Sequence, residues 1–264
     1  KRYFDLYPLE DVKLPDNRFN PKNVPQMALH NSGEFRVYSD IPDEGPIPDD
    51  RLRDALRAYR ACVSYIDAQV GRLLDELDRL GLRENTVVVL WGDHGWHLGE
   101  QDLWGKMTNF EIATRVPMII SAPGQSHAGV KTDALSEFVD IYPTLCELCG
   151  LPTPEHLEGT SLVPVMNSPD RTWKNAAFSQ YPRPGNFPLE SRIQHMGYSM
   201  RTDRYRYTQW RDWKTGEVVA RELYDYQDDP EGNVNVADDP KNAELVKQLA
   251  RQLAEGWRGA RPKG

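Results

Sequence analysis

The chain has 264 residues, of which 39% are hydrophobic and 27% charged, and its formal net charge is −8. A length of this order suits one large α/β domain or two smaller domains. The negative charge argues against electrostatic binding to nucleic acid, and no apolar run approaches the roughly 18 residues of a membrane span. A soluble globular protein is therefore the expected class.

The first half of the chain predicts an irregular segment followed by one long helix. Residues 1–48 are rich in Pro, Asp and Asn and show little periodicity. Apolar residues then recur every three or four positions over residues 49–80, which predicts a helix with one apolar face. Acidic residues after Pro48 suit its start, and Gly81 suits its end. We expect the apolar face to cover a core and the charged face to contact water.

Two apolar runs predict buried strands beyond this helix. Residues 86–91 (TVVVLW) are continuous and mostly β-branched, which is typical of a strand covered on both faces in a parallel sheet. Residues 116–121 (VPMIIS) predict a second strand, and residues 136–149 predict a helix that ends before Gly150. Helix and strand alternate in this region, so an α/β architecture is expected.

The last third of the chain predicts a small antiparallel sheet with one helix. Short, aromatic, partly alternating segments predict strands, and an amphipathic pattern predicts a helix at residues 241–257. The predicted strands cover residues 176–181, 197–201, 205–210 and 222–226. Four prolines in residues 152–172 indicate a boundary, so we expect one unit at 1–160 and a C-terminal subdomain at 161–264.

The candidate site lies in VVVLWGDHGWHLGEQDLWGK, residues 87–106. Functional residues of α/β proteins gather where strands end, and Asp93 and His94 follow the predicted strand directly. The Asp93 carboxylate suits a divalent cation, and His94 could complete the shell or bind substrate. Lys106 could neutralise an anionic group or act as a general acid. A structural turn and a surface lysine are the alternatives.

The stretch from Thr86 to Gly124 resembles the sulfatase family of the alkaline phosphatase superfamily, nearest to its iduronate-2-sulfatase group and bacterial relatives. The segments FSQYPRP, MGYSMRTDRYRYTQW and ELYDYQDDPEGNVN extend the resemblance over nearly the whole chain. The resemblance implies part of a large sulfatase-type sheet flanked by helices, with a C-terminal subdomain of antiparallel strands and a helix. It also implies a sulfuric ester hydrolase that acts on a sulfated, uronic-acid-containing saccharide.

The resemblance assigns roles residue by residue. It implies that Asp93 and His94 bind Ca²⁺, that Lys106 contacts the sulfate and its leaving oxygen, and that His94 joins Lys106 in catalysis. Trp96 stands where the group places an aromatic ring near the sugar, and His97 is a further candidate for substrate contact. Four arginines could contact an anionic substrate or be ordinary surface charges: Arg183, Arg201, Arg204 and Arg206. For Arg201 and Arg204, bracing of the subdomain is the favoured interpretation.

Part of the family's active site has no match in this chain. The nucleophile of these sulfatases is a formylglycine made within C/S-x-P-x-R, and no cysteine or serine here lies in that pattern. The N-terminal metal aspartates of the family are also unmatched. We therefore expect the missing N-terminal part of the domain to precede Lys1, and the chain to be inactive alone.

Two alternatives to a sulfatase stay open, and so does the compartment. One alternative is a phosphodiesterase or phosphonate hydrolase of the same superfamily, and the other is a non-catalytic glycan-binding module. The resemblance implies a periplasmic or secreted bacterial protein rather than a lysosomal one.

Overall fold

The computed structural model describes residues 1–184 and 192–262 and shows a mixed α/β fold. The described helices are α1 Asp49–Arg79, α2 Glu111–Thr114, α3 Ile141–Leu148, α4 Val163–Asn167 and α5 Ala243–Ala260. The described strands are β1 Val88–Trp91, β2 His97–Leu98, β3 Trp104–Gly105, β4 Met118–Ser121, β5 Ala177–Arg183, β6 His195–Arg201, β7 Tyr205–Asp212 and β8 Val218–Asp225. No helix in these ranges combines the length and the apolar character needed to cross a bilayer.

The long helix is confirmed, but the prediction that its apolar face covers a core is wrong for most of its length. It ends just before Gly81, whose φ of +67° suits a glycine. Its first turns bury Leu52 and Leu56 against the irregular N-terminal segment. Farther along, Val63, Ile66 and Leu73 are 55%, 57% and 72% exposed. Tyr3 and Tyr7 of the N-terminal segment contact Tyr65 and Ser64 in this part of the helix but leave its apolar side chains exposed.

The two predicted strands exist, but the prediction of a parallel sheet covered on both faces is wrong for the described residues. β1 pairs with β4 in an antiparallel ladder that matches Val88 with Ser121 and Trp91 with Met118. Leu90, Trp91 and Ile119 are exposed. A continuous apolar run indicates a strand that is buried in the complete fold. It does not identify the neighbouring strands or their direction.

The C-terminal subdomain is a four-stranded antiparallel sheet in the order β5-β6-β7-β8, as the alternating pattern predicts. α5 packs on one face of this sheet, where Leu249 joins a core that contains Met200, Tyr207 and Leu223. The predicted helix at residues 136–149 begins later than expected. Glu137 and Asp140 form a capping box that precedes α3.

A second core joins the predicted units. Ala28 from the N-terminal segment and Leu103 and Phe110 from the loops around β3 pack against Trp210 and Tyr224 of the C-terminal sheet. This cluster fixes the C-terminal sheet beside the strand-end loops. As a result, residues from both sequence regions line the same cavity.

Candidate active site

The loop that follows β1 is hydrogen-bonded to the segment before β4. The Gly92 N–H donates to the Pro117 carbonyl at 3.0 Å, and the Gly95 N–H donates to the Ala113 carbonyl at 2.9 Å. A Cβ atom at Gly95 would lie 1.7 Å from the carbonyl oxygen of Ile112. Glycine at this position therefore allows the backbone approach that positions the intervening Asp93 and His94.

Gly95→Ala is expected to destabilise the protein by about 1–3 kcal/mol, because the backbone around Ile112 must move to accommodate the methyl group. Gly71→Ala is the matched control. Its Cβ would meet nothing within 4 Å inside α1, so a small gain in stability is expected. Urea unfolding of both variants measures the difference, and equal stabilities would contradict the proposed backbone contact.

Asp93 and His94 form an exposed pair at the end of β1. The His94 N–H donates to Asp93 Oδ1 at 3.0 Å, and His94 Nε2 lies 3.2 Å from Asp93 Oδ2. Residues 1–184 and 192–262 contain no group of three or more His, Cys, Asp or Glu side chains arranged to hold a metal ion. Because Ca²⁺ takes six to eight ligands, this pair does not form a complete calcium site within the described chain.

A short hairpin brings Lys106 opposite Trp96. β2 and β3 pair with His97 facing Gly105, so the residues just outside the ladder face each other. The Lys106 ammonium lies 5.1 Å from the centre of the Trp96 ring, within the range of a cation–π interaction. The Trp96 and His94 rings are 6.2 Å apart. The predicted residues His94, Trp96 and Lys106 are thus neighbours.

His94 and Lys106, but not Trp96, border a cavity of about 500 Å³ between the strand-end loops and β5. Its size is in the range of small-molecule sites. His94 and Lys106 lie on the side of the loops, and Tyr181 and Pro182 lie on the side of β5. The remaining lining residues are Glu34, Met107, Thr108, Asn109, Ala113, Thr114, Ser179 and Gln180.

His97 lies beneath the cavity rather than on its wall. Its side chain is 0% exposed, its Nε2 atom is 2.9 Å from the Thr108 hydroxyl, and its ring packs edge-on against Phe110. Burial, assisted by the nearby His30, lowers the pKa of His97 to about 3. In this conformation the ring offers no surface to a ligand. Substrate contact by His97 stays a prediction, and its burial argues against it.

Stability is expected to fall as the pH drops from 6.5 to 5, because the unfolded chain takes up a proton at His97 that the folded chain does not. The folded pKa lies near 3 and the ordinary value is 6.5, so this contribution is complete above pH 6.5 and is lost below it. His97 alone should contribute about 2 kcal/mol over this interval.

Urea unfolding of the wild type and His97→Gln at pH 6.5 and pH 5 isolates that contribution. The variant should show a smaller decrease in stability, while His30, whose pKa is also lowered by burial, still contributes in both proteins. Equal decreases in the two proteins would contradict the assignment of a buried neutral imidazole.

The four arginines brace the subdomain in this structure. Arg201 and Arg206 both bind the carboxylate of Glu111, and Arg204 binds Asp225. Arg183 is buried, which lowers its pKa to about 10, and it donates to the carbonyls of Met27 and Ala28. Each of the four guanidinium groups has hydrogen-bond acceptors within the protein, so the geometry supports bracing over contact with an anionic substrate.

Glu34 is the main residue of the cavity that the sequence did not reveal. Its Oε1 atom accepts a 2.7 Å hydrogen bond from the Lys106 ammonium. It lies in the irregular N-terminal segment, where no strand, helix or motif marks an acidic residue as special. Tyr181 and Gln180 were also not predicted, because their strand shows only an ordinary alternating pattern.

Two family profiles match the chain over long stretches. A profile described as "Sulfatase" matches residues 15–151, and one described as "N-sulphoglucosamine sulphohydrolase, C-terminal" matches residues 99–258. The chain belongs to the sulfatase family. The two profiles overlap at residues 99–151, which include Lys106 and the segment that leads to β4, while the strand-end loop lies in the first profile alone. The residues that border the cavity on the loop side therefore lie in family-typical sequence.

Individual relatives agree with this assignment. The iduronate 2-sulfatase of Mus musculus is 33% identical over 313 aligned residues, which cover 94% of this chain and 57% of the relative. A solved structure of a protein in complex with its substrate D-glucosamine-2-N,6-O-disulfate is 28% identical and has a TM-score of 0.70, covering 86% of this chain and 45% of that one.

A phosphonate monoester hydrolase from Silicibacter pomeroyi shares the fold. It has a TM-score of 0.75 and 24% identity, covering 99% of this chain and 53% of that chain. This sulfatase chain thus spans about half the length of the relatives it matches, with 57% of the mouse relative covered.

Proposed function

We propose that the chain is the later part of a sulfatase catalytic domain that hydrolyses sulfate esters of a uronic-acid-containing saccharide. The observation that carries the proposal is the cavity bordered by Lys106 and His94, with Trp96 beneath the lysine ammonium. A cation and an aromatic ring side by side suit a sulfated sugar, because the cation attracts the sulfate and the ring packs on the sugar's apolar face. The choice of sugar rests on similarity to the iduronate 2-sulfatase of mouse.

Lys106 would stabilise the transition state electrostatically. Charge develops on the sulfuryl oxygens and on the leaving oxygen as the ester bond breaks, and a fixed ammonium placed there stabilises that charge more than it stabilises the ground state. The formylglycine supplies the nucleophile in a complete enzyme of this family. Within this chain, the expected tasks are holding the sulfate at Lys106 and orienting the sugar at Trp96.

The proposal assigns Asp93 and His94 to a calcium site completed by ligands outside this chain. His94 Nδ1 lies 2.9 Å from the Gly95 carbonyl and donates to it. His94 Nε2 and Asp93 Oδ2 lie 3.2 Å apart, close enough for one cation to contact both atoms. Calorimetric Ca²⁺ titration of a complete protein should therefore show weaker binding for Asp93→Asn than for wild type.

Exposed apolar side chains on α1, β1 and β4 support the proposal that a further segment of the domain packs against this chain. They comprise Val63, Ile66 and Leu73 on α1 together with Leu90, Trp91 and Ile119 on β1 and β4. Large apolar side chains left in water at several positions favour an interaction site. We assign it to the preceding half of the sulfatase domain, because the chain covers 57% of its mouse relative while 94% of the chain is matched.

The test compares the 1–264 chain alone with the same chain joined to or co-expressed with the preceding part of a sulfatase domain. The chain alone should show no turnover, and the complete protein should release sulfate from a sulfated uronic-acid disaccharide. Turnover by the chain alone would refute the assignment of the nucleophile to another segment. Faster hydrolysis of an aryl phosphonate monoester than of any sulfate ester would favour the phosphonate hydrolase alternative. Calcium and glycan binding without turnover would favour a binding module.

A further inference from the structure

Glu34 is held opposite Lys106 by contacts that do not involve either charge. The next residue, Phe35, is buried and stacks on Trp104 with ring centroids 4.6 Å apart. The Ser32 hydroxyl accepts a 3.0 Å hydrogen bond from the Trp104 backbone N–H. Trp104 belongs to β3, which leads directly into Lys106. The segment that carries Glu34 is therefore fixed to the strand that carries the lysine.

The ion pair lies at the cavity and is half-buried. The Lys106 ammonium donates to Glu34 Oε1 at 2.7 Å, and both side chains are 31% exposed. The other carboxylate oxygen, Oε2, is buried and has no hydrogen-bond partner among the described residues. One oxygen of Glu34 thus contacts the lysine at the cavity, while the other is enclosed in the protein, which limits how far the carboxylate can turn.

Gly105 permits this arrangement through its backbone conformation, which a residue with a side chain rarely adopts. Its φ is +124°, and a Cβ there would lie 3.7 Å from His30 Cε1 and 3.9 Å from Glu34 Oε2. The carboxylate therefore approaches the backbone immediately before Lys106. With the Trp96 ring on one side of the ammonium and Glu34 as its hydrogen-bond acceptor, the flexible lysine side chain is restricted from two directions.

We propose that Glu34 is a positioning residue for Lys106, which fixes the ammonium at the cavity wall before an anionic substrate group binds. This inference rests on the proposed sulfate-ester function of the site. A lysine with a freely rotating chain would sample many positions, and a displacement of about 1 Å at a reacting group can lower a rate by 10²-fold. Glu34 also places negative charge beside the sulfate site, so its removal should not weaken substrate binding.

The kinetic test is a double-mutant cycle in the complete protein with Glu34→Gln, Lys106→Ala and the double variant. Glu34→Gln should lower kcat about 10-fold with an equal or lower KM, and Glu34→Asp should restore part of the loss. The double variant should be no slower than Lys106→Ala, because Glu34 acts through the lysine. Losses that multiply in the double variant would overturn the proposal. Glu44→Gln, an exposed acid in the same segment, is the control and should behave as wild type.

A second measurement does not depend on activity. Lys106 is labelled with an amine-reactive reagent, and the labelled peptide is quantified by mass spectrometry. Glu34→Gln should raise the labelling rate of Lys106 several-fold, while Glu44→Gln should leave it unchanged. An unchanged rate in Glu34→Gln would overturn the positioning role. A raised rate in a protein without sulfate-ester turnover would instead retain that role and reject the proposed reaction.

Discussion

Lys106→Ala in the complete protein is expected to lower kcat by about 10²–10³-fold, the usual loss when one preorganised electrostatic group is removed from an active site. The lysine contacts Glu34 and the Trp96 ring and borders the cavity, so its removal deletes the only cation that the cavity lining contains among the described residues. Lys106→Arg should be intermediate, since the charge is kept but the planar guanidinium does not match the ammonium position.

Stability should change much less than activity in Lys106→Ala. Glu34 loses its partner but remains partly exposed, so the expected decrease in unfolding free energy is within about 2 kcal/mol. Lys247→Ala is the matched control, because that lysine forms one exposed pair with Glu244 far from the cavity. Steady-state kinetics and urea unfolding of both variants provide the measurements. A kcat for Lys106→Ala within twofold of wild type would remove Lys106 from the proposed mechanism.

The parts of the fold that the sequence predicts are those set by local pattern. The period of α1 and the alternation in β6 and β7 are properties of a few neighbouring residues, and the structure confirms these elements within a few positions. The partners of β1 are not a local property. Its apolar run is compatible with several sheets, and the antiparallel pairing with β4 depends on residues far along the chain.

The candidate site also has one part that the local sequence predicts and one part that it does not. His94, Trp96 and Lys106 follow from one stretch of sequence, because the strand end and the short hairpin place them close together. Glu34 and Lys106 are 72 positions apart, and their contact depends on the stacking of Phe35 on Trp104. A charged residue in an irregular segment carries no signal of such a contact, so the sequence could not single out Glu34.

The arginines show why charge alone is a poor guide to a binding site. A cluster of four arginines in a family of sulfate-handling enzymes suggests an anion site. In the structure, Arg201 and Arg206 instead share the carboxylate of Glu111, 90 and 95 positions away in sequence. An acidic partner that is distant in the sequence converts a candidate binding residue into a structural one.

Glu111→Gln is expected to destabilise the protein by about 2–4 kcal/mol, somewhat less than the loss on breaking a fully buried ion pair from one side, because the carboxylate is partly exposed. The carboxylate is 17% exposed and accepts from Arg206 at 2.6 Å and Arg201 at 3.0 Å, and Arg206 is only 4% exposed. Burial raises the pKa of Glu111, but the two guanidinium groups outweigh it and hold the pKa below the usual value. The carboxylate is therefore ionised at neutral pH, and its loss leaves two positive charges in a poorly solvated place.

The loss should extend to the strand-end loop, because Glu111 begins α2 and the Ala113 carbonyl of that helix accepts a hydrogen bond from the Gly95 N–H. Adding Arg206→Met should recover part of the stability, since one of the stranded charges is removed. Glu244→Gln, which breaks an exposed pair with Lys247, is the control and should change stability by less than about 0.5 kcal/mol. Urea unfolding at pH 7 measures all three variants. A decrease below 1 kcal/mol for Glu111→Gln would show that the two arginines find other partners or water, and that this ion-pair cluster does not hold the C-terminal sheet against the strand-end loops.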